Sequence, residues 1–366
     1  MKAVVLAGGF ATRLRPLTLT KPKPLLPILN RPLLDWTLNL LKKAGCDEVF
    51  LAVRYLSDMI KRRYGAGGGL GLSIRYEEEV KPLGDAGPIK AIVRKYGLSE
   101  TFVVIYGDVF TDMDIRSLVE FHRSKGGVAT ISLVEVEEPS RYGVAILDND
   151  HRVINFVEKP RRGEAPSRLA NAGVYVFEPE IIKYIPDKVP SKIAQSVIPK
   201  LIEEKEVYGY VYRGLWSDIG VPQDYMRANL EALKRFYPHG YIAEDSEVPK
   251  DVEIVEPVYI GRRAVIGRGC RIGPYTVVGD GVAIGPSVRV GNSIIFSNTT
   301  IECCSVIHHS IVGERCYIGR WARLEPGTVL GDEVVVNDEV YLARNVVVLP
   351  FKEIENSVYE EGRVIL

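Results

Sequence analysis

The pattern of apolar and polar positions divides the chain into two parts. Up to about residue 236, short β-branched runs such as 4–7 and 49–53 alternate with amphipathic segments such as 32–44 and 57–64. Apolar residues three and four apart indicate helices that bury one face, and the β-branched runs between them indicate buried strands. This alternation predicts an α/β domain with a Rossmann-like, mostly parallel sheet.

Further elements follow the same pattern. Strands are predicted at 102–106, 128–134, 144–147, 174–177 and 207–212, and helices at 114–125 and 223–235. The sequence Pro238-His239-Gly240 then breaks the pattern. Because 366 residues are enough for two cores, we predict one domain at residues 1–238 and a second at residues 239–366.

The second domain carries a six-residue repeat. Apolar residues, each followed by glycine, recur at Ile260, Ile266, Ile272, Val278, Ile284 and Val290. The spacing resumes from Val306 to Val348 in a shifted register, because Val290 and Val306 are 16 positions apart and 16 is not a multiple of six. Such hexapeptide repeats predict a C-terminal left-handed parallel β-helix, with a register slip within 291–305. A sandwich with glycine-rich turns is the alternative.

Composition narrows the function. The 47 basic residues balance 47 acidic ones, so no net charge attracts the chain to nucleic acid or an anionic membrane. The 5 cysteines lack CxxC spacing, which argues against a disulfide framework or structural zinc and favours the cytoplasm. No apolar run approaches the roughly 20 residues that span a bilayer. We therefore expect a soluble protein whose anion sites are local.

The most specific chemistry follows the first predicted strand, where residues 8–24 read GGFATRLRPLTLTKPKP. Glycines allow backbone N–H groups to approach a triphosphate, and Arg13 and Lys23 add fixed positive charge for a developing pyrophosphate. The segment is neither a Walker loop nor a GxGxxG motif. Taken by itself, it predicts an anion-binding loop.

The whole segment resembles the signature GGxGTRLxPLTxxxPKP of the nucleotide-sugar pyrophosphorylases, a nucleotidyltransferase family. Ala11 replaces the usual glycine. The resemblance implies an enzyme that joins a nucleoside triphosphate to a sugar 1-phosphate and releases pyrophosphate, with Arg13 and Lys23 as catalytic residues. The nucleotide-binding positions that it implies are Leu6, Gly8, Gly9, Glu79, Pro82, Gly84, Asp85 and Asp108.

Two carboxylates at strand ends are candidate magnesium ligands. Asp108 follows the predicted strand 102–106, and Asp218 lies in WSDIGVPQDY at 216–225. Two carboxylates together with substrate phosphates are a usual donor set for Mg²⁺. By the resemblance, Asp108 and Asp218 bind Mg²⁺, whereas Asp112 and Asp114 belong to a turn and a helix start.

Residues 77–88 resemble the family's base-reading loop, with Glu79 at the position that reads the base edge. Guanine presents two neighbouring donors, which suit a carboxylate. Glu79 or Asp85 therefore favours GTP, and a solvated, charged strand end is the alternative.

The motifs YGV at 142–144, VEKP at 157–160 and NAG at 171–173 also match the family. They imply a sugar-phosphate site made of Gly143, Glu158, Lys159 and Asn171. Ala194 stands where relatives that use mannose carry a glutamate, so a carboxylate contact with the sugar is missing.

Residues 310–313, 319–321, 328–332 and 336–342 resemble the β-helix of the branch that uses GTP and mannose 1-phosphate. This implies transfer of GMP to mannose 1-phosphate, giving GDP-mannose, and a homo-oligomer assembled through the β-helix. Three alternatives stay open. They are dTTP or UTP with glucose 1-phosphate, an acyltransferase that uses His308 or His309 in the β-helix, and a noncatalytic regulatory subunit, which we would expect to lack the loop cations or the metal carboxylates.

Overall fold

The structure, a computed structural model, describes residues 1–187 and 190–366. The chain forms two compact units, one made of Met1–Phe10 and Leu33–Asp218 and the other of Ala11–Pro32 and Ile219–Leu366. The segment after the glycine pair thus belongs to the same unit as the C-terminal part. The boundary between residues 238 and 239 concerns sequence domains and stays a prediction.

The helices and strands up to residue 236 are listed here in chain order. They are β1 Lys2–Ala7, β2 Pro27–Ile28, β3 Arg31–Pro32, α1 Leu33–Lys43, β4 Glu48–Val53, α2 Ser57–Tyr64, β5 Ser73–Glu78, α3 Gly87–Tyr96, β6 Phe102–Tyr106, β7 Val109–Thr111, α4 Ile115–Lys125, β8 Ala129–Glu135, β9 Gly143–Leu147, β10 Val153–Glu158, β11 Leu169–Phe177, α5 Ile198–Glu203, β12 Val207–Tyr212, β13 Trp216–Asp218 and α6 Pro222–Phe236.

The first unit is built on a nine-stranded sheet. Its strands run in the order β10-β9-β11-β6-β1-β4-β5, with β8 beside β11 and β12 beside β8. Strands β6, β1, β4 and β5 are parallel, whereas β11 runs antiparallel to β6 and β8. The central strands are continuous apolar runs because helices cover both faces of such a sheet. The predicted Rossmann-like domain is confirmed, with a parallel centre and a mixed side.

Local sequence explains where the helices begin and end. Asp114 caps α4 by accepting a hydrogen bond from the Arg116 backbone N at 3.0 Å, and Gly126 ends the helix with a φ of 71°. The expectation that Asp114 starts a helix is confirmed. The amphipathic segment predicted at 32–44 forms α1 only from Leu33, because Pro32 lies in β3, where it pairs with Pro27.

The second unit contains the repeat. Its strands are β14 Tyr241–Ile242, β15 Glu253–Ile254, β16 Val258–Ile260, β17 Val265–Ile266, β18 Arg271–Ile272, β19 Thr276–Val278, β20 Ala283–Ile284, β21 Arg289–Gly291, β22 Ile294–Ile295, β23 Thr300–Ile301, β24 Val306–His308, β25 Ile311–Val312, β26 Tyr317–Ile318, β27 Arg323–Leu324, β28 Val329–Leu330, β29 Val335–Val336, β30 Tyr341–Leu342, β31 Val347–Val348, β32 Glu353–Ile354 and β33 Val364–Ile365. They form three parallel sheets that take every third strand in turn. The predicted parallel β-helix is confirmed.

The register slip arises from two shortened repeats. A full coil advances 18 residues, as from Arg271 to Arg289, but the next coil advances 17, from Arg289 to Val306. Buried apolar residues continue from Val290 through Ile295, Ile301 and Ile307 to Val312, with five-residue steps at both ends. Val306 was predicted to point inward, which is wrong. Its neighbour Ile307 fills the interior, and Val306 is half-buried.

Candidate active site

A cleft lies at the carboxyl ends of four adjacent parallel strands, β6, β1, β4 and β5. Ligands bind at this edge of open α/β sheets. The cleft has a volume of about 340 Å³. Its walls are formed by Leu6, Gly8, Gly9, Arg54, Glu79, Pro82, Gly84, Asp85, Pro88, Tyr106 and Asp108. Every residue that the resemblance assigns to the nucleotide lines this cleft, although its contact with a nucleotide stays a prediction.

Glu79 lies against the glycine pair. A Cβ on Gly8 would come within 2.7 Å of Glu79 Oε1, so a side chain there would displace this carboxylate from its present position. Glu79 Oε2 accepts a hydrogen bond from the Leu83 backbone N at 3.2 Å. Burial raises the pKa of Glu79, and the Arg54 guanidinium opposes that shift. The carboxylate therefore faces the cleft beside a cation.

Asp85 is held by internal hydrogen bonds. Its Oδ1 accepts from the Ile193 backbone N at 2.6 Å, and its Oδ2 accepts from the Tyr106 hydroxyl at 3.0 Å. Burial raises the pKa of Asp85, while these two donors favour the charged form. Glu79 is therefore better placed than Asp85 to read a base edge.

Sequence reasoning missed Arg54 and Tyr106 as cleft residues. Arg54 directly follows β4, and its guanidinium lies 4.7 Å from the centre of the Phe10 ring. Its position after a buried parallel strand was the available signal, because that strand end opens into the cleft. Tyr106 ends β6 in the same way, but aromatic residues are common in strands and gave no comparable signal.

The two candidate metal ligands lie at neighbouring positions of one antiparallel ladder. Strand β13 pairs with β7 so that Asp218 lies opposite Val109, the residue after Asp108. The Trp216 indole N–H donates to the Ala172 carbonyl at 2.9 Å and ties β13 to β11. In the described residues, no group of three or more metal-binding side chains is present. Two carboxylates nevertheless fit Mg²⁺, which takes its remaining ligands from phosphate and water.

Asp112 has a structural role. Its Oδ1 accepts hydrogen bonds from the Leu215 backbone N at 2.8 Å and from the Tyr212 hydroxyl. These contacts fix the turn after β7 against the residues that precede β13. This agrees with its expected place in a turn.

Arg13 and Lys23 belong to the second unit. Arg13 is exposed in a short 3-10 helix at Thr12–Leu14, and Lys23 is half-buried at the start of another at Lys23–Leu25. Ala11, which replaces the signature glycine, adopts a left-handed conformation with a φ of 47°. Its carbonyl accepts from the Thr18 hydroxyl at 2.9 Å. The loop therefore keeps the backbone shape that glycine would adopt at lower cost.

Three of the predicted sugar-phosphate residues lie on β9, β10 and β11, and the fourth, Lys159, directly follows β10. Gly143 pairs with Glu158, and a Cβ on Gly143 would lie 2.6 Å from Glu158 Oε2, so this carboxylate also packs onto a glycine. Burial raises the pKa of Glu158, whereas the adjacent Lys159 lowers it. Asn171 is half-buried at the start of β11. Their contacts with a sugar phosphate stay a prediction.

Two remaining sequence features have plain locations. Ala194 lies in a π-helix at Ile193–Val197, where it offers no charge. His308 and His309 are exposed in the β-helix. The pKa of His309 is lowered, mainly by partial burial of its ring and less by the neighbouring His308. Within the described part of the chain, no helix is long and apolar enough to cross a membrane.

Comparisons with known proteins agree with this architecture. Residues 2–235 match the Nucleotidyl transferase family model, and residues 254–365 match the GMPPB C-terminal domain model. A Sulfolobus acidocaldarius protein provisionally named a mannose-1-phosphate guanyltransferase is 41% identical over 100% of both chains. The mannose-1-phosphate guanylyltransferase catalytic subunit beta of Danio rerio is 38% identical over 100% of both chains.

Among solved structures, a Bacillus anthracis protein provisionally named a glucose-1-phosphate thymidylyltransferase aligns with a TM-score of 0.59 and 28% identity. The alignment covers 66% of this chain and 98% of that one. This alignment therefore covers a smaller share of the chain than the sequence alignments with the two full-length relatives. The cleft, the family models and the full-length relatives together identify the chain as a member of the nucleotidyl transferase family, with the C-terminal domain of the GMPPB type.

Proposed function

We propose that this protein is a mannose-1-phosphate guanylyltransferase, which transfers GMP from GTP to mannose 1-phosphate and releases pyrophosphate. The observation that carries the proposal is similarity over the whole chain to relatives that bear this name, at 38% and 41% identity. A carboxylate at Glu79, beside the cleft at the strand ends, supports guanine as the base.

The reaction needs no general base. A phosphate oxygen of mannose 1-phosphate already carries negative charge, so it forms a bond to the α-phosphorus of GTP as the bond to the β-phosphate oxygen breaks. The pyrophosphate leaves with the electron pair of that bond. Arg13 and Lys23 stabilise the charge on the departing pyrophosphate, and the backbone at Gly8 and Gly9 lies along the nucleotide. Positioning and charge neutralisation account for the catalysis.

We also propose that Asp108 and Asp218 hold Mg²⁺. Their hard oxygen donors suit this ion, since Asp108 lines the cleft and Asp218 lies opposite Val109, the residue after Asp108, in the ladder of β7 and β13. When bound, the ion neutralises phosphate charge as a Lewis acid. Gly143, Glu158, Lys159 and Asn171 are proposed to bind mannose 1-phosphate, with the Lys159 ammonium on the phosphate.

Two further properties follow from the resemblance. We propose that the chain forms a homo-oligomer through its β-helix and acts in the cytoplasm. Exposed Val265 and Tyr317 on the outer side of one β-helix sheet support an interface there. Sedimentation velocity at several concentrations tests the oligomer, and a purely monomeric protein would contradict it.

Pyrophosphate release with Mg²⁺ tests the activity. GTP, dTTP, UTP and ATP are each paired with mannose 1-phosphate or glucose 1-phosphate. We expect a clear preference for GTP with mannose 1-phosphate. The Bacillus anthracis likeness makes glucose 1-phosphate with dTTP or UTP the second candidate, and preference for either of these pairs would refute the proposed substrates. Absence of release with every pair would favour a regulatory subunit.

A further inference from the structure

Four side chains of the first unit form a continuous hydrogen-bond chain. Asn171 Nδ2 donates to the Tyr175 hydroxyl at 2.7 Å, and Tyr175 donates to the Tyr106 hydroxyl at 3.2 Å. Tyr106 donates in turn to Asp85 Oδ2 at 3.0 Å, and Asp85 Oδ1 accepts from the Ile193 backbone N. The chain leads from the loop beside the nucleotide cleft to a proposed sugar-binding residue.

The donors and acceptors of these four side chains can be assigned in only one direction along the hydrogen-bond chain. A carboxylate can only accept hydrogen bonds, so Tyr106 donates its single hydroxyl proton to Asp85 and must accept from Tyr175. Tyr175 in the same way donates its proton to Tyr106 and must accept from Asn171. Asn171 therefore turns its amide nitrogen toward the chain. Its Oδ1 accepts from the Gly173 backbone N at 3.1 Å, which fixes the same orientation independently.

This orientation leaves one N–H of Asn171 available to a ligand. The amide nitrogen has two protons, and Tyr175 accepts only one of them. Asn171 would therefore meet a sugar as a donor to a hydroxyl oxygen. Without Tyr175 as acceptor, only the Gly173 backbone N–H would hold the amide, at 3.1 Å, and the orientation of its second N–H would be less firmly fixed.

Tyr175, in the middle of the hydrogen-bond chain, cannot touch a substrate. Tyr175 is 0% exposed, with its ring stacked on Phe177 at 5.4 Å and edge-on to Tyr106 at 5.6 Å. Phenylalanine would satisfy this packing, as it does at Phe177, whereas a buried hydroxyl is costly unless it is hydrogen-bonded. The hydroxyl of Tyr175 thus serves the hydrogen-bond chain.

We propose that Tyr106 and Tyr175 are positioning residues. Because Asp85 only accepts hydrogen bonds, the two hydroxyls orient the Asn171 amide so that its second N–H donates to a hydroxyl of the sugar 1-phosphate. The proposal rests on the proposed function, because it assumes that Asn171 faces the sugar. It adds that one hydrogen-bond chain, buried at Tyr175, joins the loop beside the nucleotide to the sugar site. Asp85 then determines sugar recognition indirectly.

The first test is Tyr175→Phe in the full-length protein. We expect the KM for mannose 1-phosphate to rise about three- to tenfold, the effect of one hydrogen bond, with kcat and the KM for GTP within about twofold of wild type. Tyr64→Phe is the matched control. The hydroxyl of the buried Tyr64, on α2, donates to Asp35 Oδ1 at 2.6 Å, and neither residue lines the cleft. Equal changes in both KM values, or no change in either, would overturn the proposal.

Deoxy analogues of mannose 1-phosphate distinguish a positioning role of Tyr175 from a purely structural one. For the analogue that lacks the hydroxyl bound by Asn171, we expect Tyr175→Phe and wild type to have the same KM. For the other analogues the difference between the two proteins should persist. A uniform penalty across the whole deoxy series would mean that Tyr175 only supports the fold.

Asp85→Asn is the second variant, for use also if Tyr175→Phe does not fold. An amide can donate to Tyr106 and reverse the chain, so we again expect a raised KM for mannose 1-phosphate, whereas a rise confined to the KM for GTP would refute the chain. The wild-type substrate panel separates the two proposals. If wild type prefers another sugar 1-phosphate, the proposed substrate is wrong, and the deoxy series of that sugar then tests the chain.

Discussion

At the scale of residues, close approaches between carboxylates and glycines shape both proposed subsites. Glu79 lies over Gly8, and Glu158 lies over Gly143. Burial raises the pKa of each carboxyl, with nearby Arg54 and Lys159 opposing the shift. A side chain at either glycine would therefore displace the carboxylate that covers it.

Substitution of Gly8 tests this interpretation without a ligand. In Gly8→Ala the new Cβ would meet Glu79 Oε1 at 2.7 Å, and because this atom is the flexible end of its side chain, the carboxylate should move aside at a cost of at most about 1 kcal/mol in the free energy of unfolding. Gly9→Ala is the control, since a Cβ there has no neighbour within 4 Å. Chemical denaturation of the unliganded variants measures the difference. A larger loss in Gly8→Ala alone would show that Glu79 is held rigidly in place.

A buried histidine should make stability depend on pH. His122 is 1% exposed, and burial lowers its pKa below the ordinary value, against the opposing effect of Glu178. The unfolded chain therefore binds the proton first as pH falls, so stability decreases from about pH 6.5 down to the folded pKa and the slope then vanishes. We expect His122→Gln to flatten this part of the profile in denaturation series between about pH 7.5 and 5.5. An unchanged difference between the two proteins over that range would contradict the shift.

At the scale of elements, the segment Ala11–Pro32 is anchored within the second unit. Lys21 Nζ lies 2.7 Å from Glu314 Oε1 and 3.1 Å from Asp332 Oδ2, in the geometry of an ion pair rather than of well-directed hydrogen bonds. The Thr20 hydroxyl donates to Asp332 Oδ2 at 2.6 Å. The Asn30 amide donates to the Val278 carbonyl at 3.0 Å. Coils of the β-helix thus hold the segment that carries Arg13 and Lys23.

Removal of the Lys21 charge should be costly. In Lys21→Met, Asp332 stays buried without its cation, and we expect a loss of about 3–5 kcal/mol in the free energy of unfolding. Arg315→Met breaks the exposed pair with Glu333 and should cost at most about 1 kcal/mol. Calorimetric unfolding of both variants makes the comparison. Similar small losses would mean that Asp332 is hydrated when Lys21 is absent.

The sequence pattern located some of the strands and helices and missed others, for physical reasons. β-branched runs and helical patterns located most of the central strands and helices of the first unit, because burial on both faces makes the strands apolar throughout and burial of one face gives the helices their period. Strand β5 was missed since its sequence SIRYEE is mostly polar, as suits the edge of the sheet. Ile307 was missed because Val306 beside it is also β-branched, and only the coil register separates the two.

At the scale of the whole molecule, the chain divides differently in space and in sequence. The Nucleotidyl transferase model ends at residue 235, whereas the first compact unit ends at Asp218 and excludes Ala11–Pro32. No periodicity in residues 11–32 could reveal that partnership, because its contacts come from side chains about 250 to 310 positions away, such as Asp280 and Asp332. The cleft was more accessible to prediction, since its residues follow strand ends.

A fragment of residues 1–238 tests how far the segment Ala11–Pro32, which carries the proposed catalytic residues Arg13 and Lys23, depends on the β-helix. The fragment retains α6, whose Asn229 Oδ1 accepts from the Leu29 backbone N at 3.0 Å, but it loses Glu314, Asp332 and Asp280. We therefore expect limited proteolysis to cut first within residues 11–32, and pyrophosphate release to fall well below that of the full chain. In the intact protein the same segment should resist cleavage under identical conditions. Full protection and full activity of the fragment would show that α6 alone holds the segment, and the ion pairs with the β-helix would then contribute to stability rather than to catalysis.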